Sequence, residues 1–369
     1  MADRAKGIFI SNISHELRSP LHGILASAEF LSDTRLDTLQ RTFIDTIDSC
    51  GRTLLEVINH VLDFGKLTYI ARLKNKLARP PSTSREIVMT PVDLMAVAEQ
   101  VVESCYAGYE FKGLFGQVDI GTILGPKSQG YGRAKDSSSA LTVVIDVEYR
   151  EQGWFFLLQS GAFQRILMNI TGNALKYTSS GWVHVRLSYT EKDVTLTVSD
   201  SGKGISPDFL KNRLFSPFSQ EDTLQAGTGL GMSIVKQVVE RLGGKIDVTS
   251  HVNVGTKVKV SLPCAAVDRP GTDSCARVRS LAKGIKIFLA GFDKNVPASR
   301  LLYDSVANYV TTWHNMIIVD DVYSSDLIIS DECPELIDFF QQTSPTEQSA
   351  FTLTPPALSP LADSVYRAW

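Results

Sequence analysis

The chain has 369 residues, 21% charged and 43% hydrophobic, with a net charge of −3. That length allows two or three globular domains, and the charge balance excludes a whole-chain basic field for nucleic acid. Its five cysteines are scattered without a CxxC pair, which argues against a zinc site or a disulfide framework and for a reducing compartment.

No apolar run approaches the roughly 20 residues that span a bilayer. The start, "MADRAKGIFISN", lacks the apolar core of a signal peptide. A cytoplasmic location is expected, with no membrane span in this chain and no nucleic-acid partner.

Two helices are predicted first. In one, Ile10, Ile13, Leu17, Leu21, Ile24, Ala28 and Leu31 recur three or four apart. In the other, Phe43, Ile47, Cys50, Leu54, Val57, Val61 and Phe64 do the same. Both stripes are seams for other helices. Between them "SDTRLDTLQ" turns the chain, and Asp37 and Gln40 have capping-box spacing. A lone hairpin buries each helix poorly, but two make a four-helix bundle. Residues 1–70 are therefore expected to form a homodimer.

His15 lies two residues from both Ile13 and Leu17, roughly 200° around a helix from each, so it points away from the seam. An exposed histidine is more often surface decoration than a nucleophile. Its neighbours change that reading. Pro20 removes the N–H that would bond the Glu16 carbonyl, at a cost of about 3 kcal/mol that a functional bend would justify. His22, seven residues on, is read as plain exposed surface.

Residues 71–89, basic and then rich in Pro and Ser, read as a linker. A mixed α/β region is expected over 90–264. It starts with a helix over Pro91 to Lys112 and a Gly/Ser-rich insertion at 113–139. "LTVVIDVEY" then reads as a strand and Gln159 to Tyr177 as a helix. "WVHVRLSY" and "VTLTVSD" alternate as strands. Leu230 to Leu242 reads as a helix stopped by Gly243 and Gly244, and "KIDVTS" and "TKVKVSLP" as a hairpin.

Four stretches of this region carry chemistry. "NITGNALKYT" sets Asn169 and Asn173 on one helical face with Lys176 and Tyr177 beyond. Amide oxygens suit Mg²⁺, lysine suits phosphate and tyrosine offers a face to a base; the alternative is an exposed polar face. "DSGKG" puts Asp200 at a strand end, able to accept from an adenine amino group, with Gly202 and Gly204 leaving room for close approach. The alternative is a polar turn. "LFSPFSQ" carries Phe215 and Phe218, a lid or a hydrophobic anchor under a loop. "GTGLGM", Gly227, Thr228, Gly229, Leu230 and Gly231, runs into a helix whose amides favour anions. Its GxGxG spacing does not fit a dinucleotide fingerprint, and there is no GxxxxGK[ST].

Taken together, "SHELRSPL", "NITGNALKYT", "DSGKG", "LFSPFSQ", "GTGLGM" and "VGTKVKVSLP" resemble the phosphoacceptor, asparagine, glycine and phenylalanine boxes of sensor histidine kinases, above all the fungal hybrid kinases. The resemblance covers roughly residues 6–263. It implies a multidomain fold: a helical hairpin forming a dimeric four-helix bundle, then an α/β sandwich of the Bergerat ATP-binding type. It implies His15 as phosphoacceptor, Glu16 as its orienting base, and ATP with Mg²⁺ as cofactors. ATP would be held by Asn169, Asn173, Lys176, Tyr177, Asp200, Gly202, Gly204, Phe215, Phe218, residues 227–231 and Thr256, and the metal by Asn173 and Asn169. The implied activity is protein-histidine kinase, passing phosphate from His15 to an aspartate of a receiver domain. Related ATPases carry a glutamate base where Asn169 stands, and asparagine cannot deprotonate water. Ser19 stands where the family usually has Thr or Asn, which argues against phosphatase activity.

After a linker at 265–283, residues 284–340 have a partial, degenerate α/β receiver-like outline: "IKIFLAG", a helix near Ala298–Tyr309, then "DLIIS" before Asp331. Only Asp293 follows the first strand, where a receiver has two acids. The tail, 341–369, reads as disordered. With 14 residues ahead of His15, the chain reads as a fragment of a longer kinase. The alternatives are an ATPase or conformational clamp of the same nucleotide fold, and a non-catalytic dimerising partner of kinases.

Overall fold

The computed structural model describes residues 20–32, 34, 36, 40–41, 44, 47, 51, 89–115, 141–190, 192–222, 228–267, 273–330, 349–352 and 365–367. The expectations for Ile10, Ile13, His15, Glu16, Leu17, Ser19, Phe43, Cys50, Leu54, Val57, Val61, Phe64, Gly227 and Asp331 lie outside them. So do those for the linker at 71–88 and most of the insertion. The chain divides into two compact units. One comprises Met1–Ile87, Phe111–Gly125 and Lys211–Val238; the other comprises Val88–Glu110, Pro126–Leu210 and Val239–Trp369.

In the first unit, residues 20–32 form helix α1, and residues 40, 41, 44, 47 and 51 are helical. Leu21, Ala28 and Ile44 are buried. A Cβ on Gly51 would come within 2.7 Å of the Leu25 side chain, so the glycine lets the chain approach Leu25 closely. The contact therefore uses only part of the predicted seam. Ile24, Leu31 and Ile47, all seam positions, stay 51%, 50% and 45% exposed, and Phe30 is 75% exposed. His22 is exposed as expected.

The second unit opens with β1 (Thr90–Asp93) and α2 (Leu94–Phe115). The predicted helix start at Pro91 is thus corrected to Leu94. Asp93 caps it, its Oδ1 accepting from Met95 N at 3.1 Å and Ala96 N at 3.3 Å. β2 (Leu141–Val147), β3 (Phe155–Leu158), α3 (Ser160–Tyr177), β4 (Gly181–Tyr189) and β5 (Asp193–Asp200) follow. Next in the chain come α4 (Pro207–Asn212), which is divided between the units, and α5 (Gly231–Arg241), most of which belongs to the first; β6 (Lys245–His251), β7 (Gly255–Pro263) and β8 (Ala265–Ala266) continue the second. β1, β3 and β8 form a small antiparallel sheet, too short for alternation to reveal.

β2, β4, β5, β7 and β6 are neighbours in that order in a six-stranded sheet. β2 and β4 run parallel because the β3–α3 segment crosses over between them; the remaining pairs of this set are antiparallel. Alternate residues Val183, Val185, Leu187, Val194, Leu196, Val198, Val258, Val260 and Leu262 are buried on one face. Phe163, Ile166, Leu167 and Ile170, spaced three or four apart on α3, are buried as well. Each fully buried residue of this size is worth about 1.5–3 kcal/mol.

The C-terminal segment supplies α6 (Asp273–Ala282), β9 (Lys286–Ala290), α7 (Pro297–Asn308), β10 (Ile317–Ile318), β11 (Leu327–Ser330), β12 (Ser349–Thr352) and β13 (Val365–Arg367). β10, β9, β11 and β12 form a parallel sheet in that order, and β13 pairs in parallel with β2. Residues 349–352 and 365–367 are therefore strands, not part of a structureless tail. Each adds an edge strand to its sheet.

This segment shares a core with the larger sheet. Val144, on the second face of β2, clusters with Ile287, Leu302, Val306 and Val310, all buried. Trp313 Nε1 donates to Val147 O at 3.2 Å, and its ring meets Tyr149 edge-on at 5.5 Å. Leu302→Ala should lower stability by about 2–5 kcal/mol. Because the core is shared, the loss should appear in one denaturant transition of the whole unit. Separate transitions for the two sheets would refute the shared core. Among the described residues no helix is long and apolar enough to cross a membrane.

Candidate functional site

β5 delivers Asp200 to the edge of a tightly stitched loop. Its Oδ1 accepts from Gly202 N at 2.9 Å and from Thr256 N on β7 at 3.2 Å. Oδ2 takes no hydrogen bond among the described residues. Burial pushes the Asp200 carboxyl above its ordinary value of 3.8, with the two N–H bonds pulling the other way. The carboxylate is thus poised with one oxygen fixed and one open.

The loop after Asp200 is held from two sides. Ser201 N donates to Trp182 O at 3.1 Å and Lys203 N to Tyr177 O at 3.2 Å. From the β6–β7 turn, Asn253 N donates to Lys203 O at 2.8 Å, and Ile205 N donates to Ser250 Oγ at 2.8 Å. Gly204 and Gly255 have φ of +70° and +135°, and a Cβ on either would overlap the carbonyl of His251 or Asp200. The room left by Gly204, expected for a ligand, is filled by His251. That left by Gly202 is filled by the Tyr177 carbonyl and the Thr178 side chain. These glycines shape the loop.

On α3, Asn169 is buried and its Nδ2 donates to Arg165 O at 2.8 Å. That bond fixes the amide and leaves Oδ1 as the group able to meet a ligand. Asn173 is half-buried one turn on. Lys176 Nζ donates to Tyr177 Oη at 3.1 Å and sits 4.7 Å from the centre of that ring. Lys203 Nζ lies 4.9 Å from the same centre. Two ammonium groups over one tyrosine make a positive patch suited to phosphate. Lys203 was missed in the sequence, although it stands between the two glycines of "DSGKG". Its role depends on α3 ending opposite it.

Residues 211–238 belong to the other unit. Lys236 Nζ sits 5.0 Å from the centre of the Phe215 ring. Phe218 is 65% exposed with φ of 60°, a strained conformation for an aromatic residue. A Cβ on Gly229 would press on the Phe218 and Ser219 backbone. Thr228 Oγ1 accepts from Leu230 N at 3.4 Å, and Gly231 opens α5. Leu230 is fully buried, which assigns its side chain to packing and leaves only its backbone for a ligand.

Comparison with known proteins accounts for both ends of the core. Residues 159–266 match the model of the histidine kinase-, DNA gyrase B- and HSP90-like ATPases. Residues 5–70 match that of the His kinase A phospho-acceptor domain. The chain is 29% identical over 293 residues to hybrid signal transduction histidine kinase B of Dictyostelium discoideum, covering 77% of this chain and 13% of that protein. It is 31% identical over 293 residues to sensor histidine kinase AruS of Pseudomonas aeruginosa, covering 76% and 25%. Two-component system protein A of Emericella nidulans is 29% identical over 268 residues, covering 70% and 33%. The chain thus spans a third or less of each of these relatives' own lengths. A solved structure, full-length ShkA in complex with AMPPNP, superposes with a TM-score of 0.56 at 24% identity, over 95% of this chain and 62% of that one. The chain belongs to the histidine-kinase family and carries its phospho-acceptor module followed by its ATPase-type nucleotide module.

Proposed function

We propose that this chain is the catalytic core of a two-component phosphorelay kinase, transferring the γ-phosphoryl group of ATP to His15 and then to an aspartate of a receiver domain. The observation that carries the reading is the pairing, in one chain, of a matched phospho-acceptor region containing "SHELRSPL" with a nucleotide module that presents Asp200 Oδ2. In the proposed reaction neutral His15 attacks the γ-phosphorus. A P–N bond forms, the bond from the γ-phosphorus to the β–γ bridging oxygen breaks, and ADP leaves. Glu16 accepts the hydrogen bond of the other ring nitrogen and offsets the imidazolium charge. The open carboxylate oxygen of Asp200 receives the adenine amino group, and Lys176 with Lys203 faces the phosphates. The parts given to Phe215, Phe218, Gly227, Thr228, Gly229 and Gly231 rest on their motifs.

Mg²⁺ fits the donors present. Asn169 Oδ1 and Asn173 offer neutral oxygens on one face of α3, and phosphate and water oxygens would complete the shell. Bound there, the ion would neutralise phosphate charge. Asn169 in place of a carboxylate favours transfer to protein over transfer to water, because an amide cannot act as a base. Incubation with ATP radiolabelled in the γ-phosphate tests the choice. A kinase accumulates acid-labile, base-stable label on the chain. Steady phosphate release without labelled protein would instead mark an ATPase or clamp.

The homodimer is part of this proposal. Ile24, Phe30, Leu31 and Ile47 leave apolar surface on the hairpin that a second copy would cover in a four-helix bundle. Ile24→Glu with Phe30→Glu should convert a dimer into a monomer in sedimentation equilibrium; an unchanged mass would remove these residues from the interface. We further read the C-terminal segment as receiver-like, because its strand order places the second and third strands on either side of the first. Among the described residues, two of its acids are tied into the fold. Asp293 Oδ1 accepts from Asn295 N and Nδ2, and Asp326 Oδ2 accepts from Lys286 N at 2.8 Å. With Asp293 alone after its first strand, where a receiver has two acids, the proposal assigns the phosphoryl-accepting aspartate to a separate receiver.

A further inference from the structure

Ser250 on β6 stands directly opposite Thr256 on β7. Its Oγ lies 2.8 Å from Ile205 N, 2.9 Å from Gly255 O and 2.9 Å from Thr256 Oγ1. A serine hydroxyl has one hydrogen and two lone pairs. Ile205 N can only donate, so it occupies one lone pair. Gly255 O can only accept, so it takes the hydrogen. The contact with Thr256 must then use the second lone pair, which makes Thr256 the donor. Having given its single hydrogen to Ser250, Thr256 Oγ1 can meet a ligand only as an acceptor.

Thr256 is tied in turn to Asp200, because its N–H donates to Asp200 Oδ1. The remaining capacity of this pair is therefore two acceptors, Thr256 Oγ1 and Asp200 Oδ2, and no donor. Such a pair suits the two N–H bonds of a single amino group and opposes a carbonyl oxygen in the same place. A 6-aminopurine presents an amino group where a 6-oxopurine presents an oxygen.

We propose that Ser250 is a positioning residue that fixes Thr256 as an acceptor and thereby makes the site discriminate 6-amino from 6-oxopurine nucleotides. The proposal deepens the nucleotide-binding reading above and rests on it. Through Ile205 the same hydroxyl also anchors the loop that follows Asp200, which is why a plain loss of affinity would not distinguish the two roles. The ratio between two nucleotides does.

The test is isothermal titration of the full chain with ATP and with ITP. In Ser250→Ala the Thr256 hydroxyl loses its acceptor and becomes free to donate to a 6-oxo group. The preference for ATP over ITP should fall by about tenfold, equivalent to roughly 1.4 kcal/mol. Ser250→Thr, which keeps a hydroxyl, should restore the preference. Equal weakening of both nucleotides by Ser250→Ala, with the ratio unchanged, would show a merely structural serine and overturn the proposal. Should Ser250→Ala not fold, Ser250→Cys, whose thiol is only a weak hydrogen-bond acceptor, takes its place, with the same expected fall and the same refutation. A wild-type chain that binds neither nucleotide would overturn the nucleotide reading itself, and the proposal with it.

Discussion

His15→Gln is expected to abolish incorporation of the ATP γ-phosphoryl group into the chain while leaving ATP affinity unchanged. Glutamine keeps a polar side chain of similar reach but has no ring nitrogen with a free lone pair, so it cannot form the P–N bond. The nucleotide module is a separate stretch of sequence, matched over residues 159–266, apart from the phospho-acceptor match over residues 5–70 that contains His15. The two readouts therefore part company: label falls to background and the binding isotherm stays. Label that persists would place the acceptor elsewhere. Loss of both label and binding would mean that residue 15 supports the fold and leave its chemistry undemonstrated.

Asp200→Asn should do the opposite, removing nucleotide affinity without harming the fold. An asparagine Oδ1 can keep both bonds that Asp200 Oδ1 now accepts from Gly202 and Thr256. Its Nδ2 would then present a donor where Oδ2 offers an acceptor, against the amino edge of adenine. ATP affinity should fall roughly 10–100-fold, the worth of a hydrogen bond to a charged group. Stability should move the other way. A carboxyl raised above 3.8 by burial binds its proton more tightly folded than unfolded. Its favourable contribution is complete below the unfolded value and is lost as pH rises through the folded one. At neutral pH ionised Asp200 is a cost to folding that Asn does not carry, so the melting temperature should hold or rise. In the wild type, ATP binding should weaken on acidification through this raised value, before an ordinary aspartate would respond. A variant that binds ATP normally, or unfolds, would contradict this account of Asp200.

Much of this site was legible because its strands are long and one-sided. The alternation in "WVHVRLSY", "VTLTVSD" and "TKVKVSLP" placed β4, β5 and β7, and the period of α3 brought Asn169 and Asn173 onto one face. β1, β3, β8 and β10 escaped notice because strands of two to four residues are too short to show a period. The shared core at Val144 was hidden differently. "LTVVIDV" is apolar without interruption where Val143, Val144 and Ile145 are all buried, the signature of a strand covered on both faces. It reads equally well as one face of a simple sandwich. Ile24 and Leu31 fitted one helical stripe with Leu21, yet only Leu21 turned inward. Periodicity identifies apolar positions without saying which neighbour covers them. Lys203 could not be found from spacing, since it acts on Tyr177, far away in the chain, and Ser250 could not because only the β6–β7 register sets its hydroxyl against that of Thr256.

The most direct test of the whole account is to find where the phosphoryl group goes. The full chain would be incubated with ATP and Mg²⁺, kept alkaline to preserve phosphoramidate bonds, and mapped by tandem mass spectrometry. The account predicts a single modified residue, His15. Phosphate on a serine, threonine or other histidine, or ADP formed with no modified residue, would contradict it.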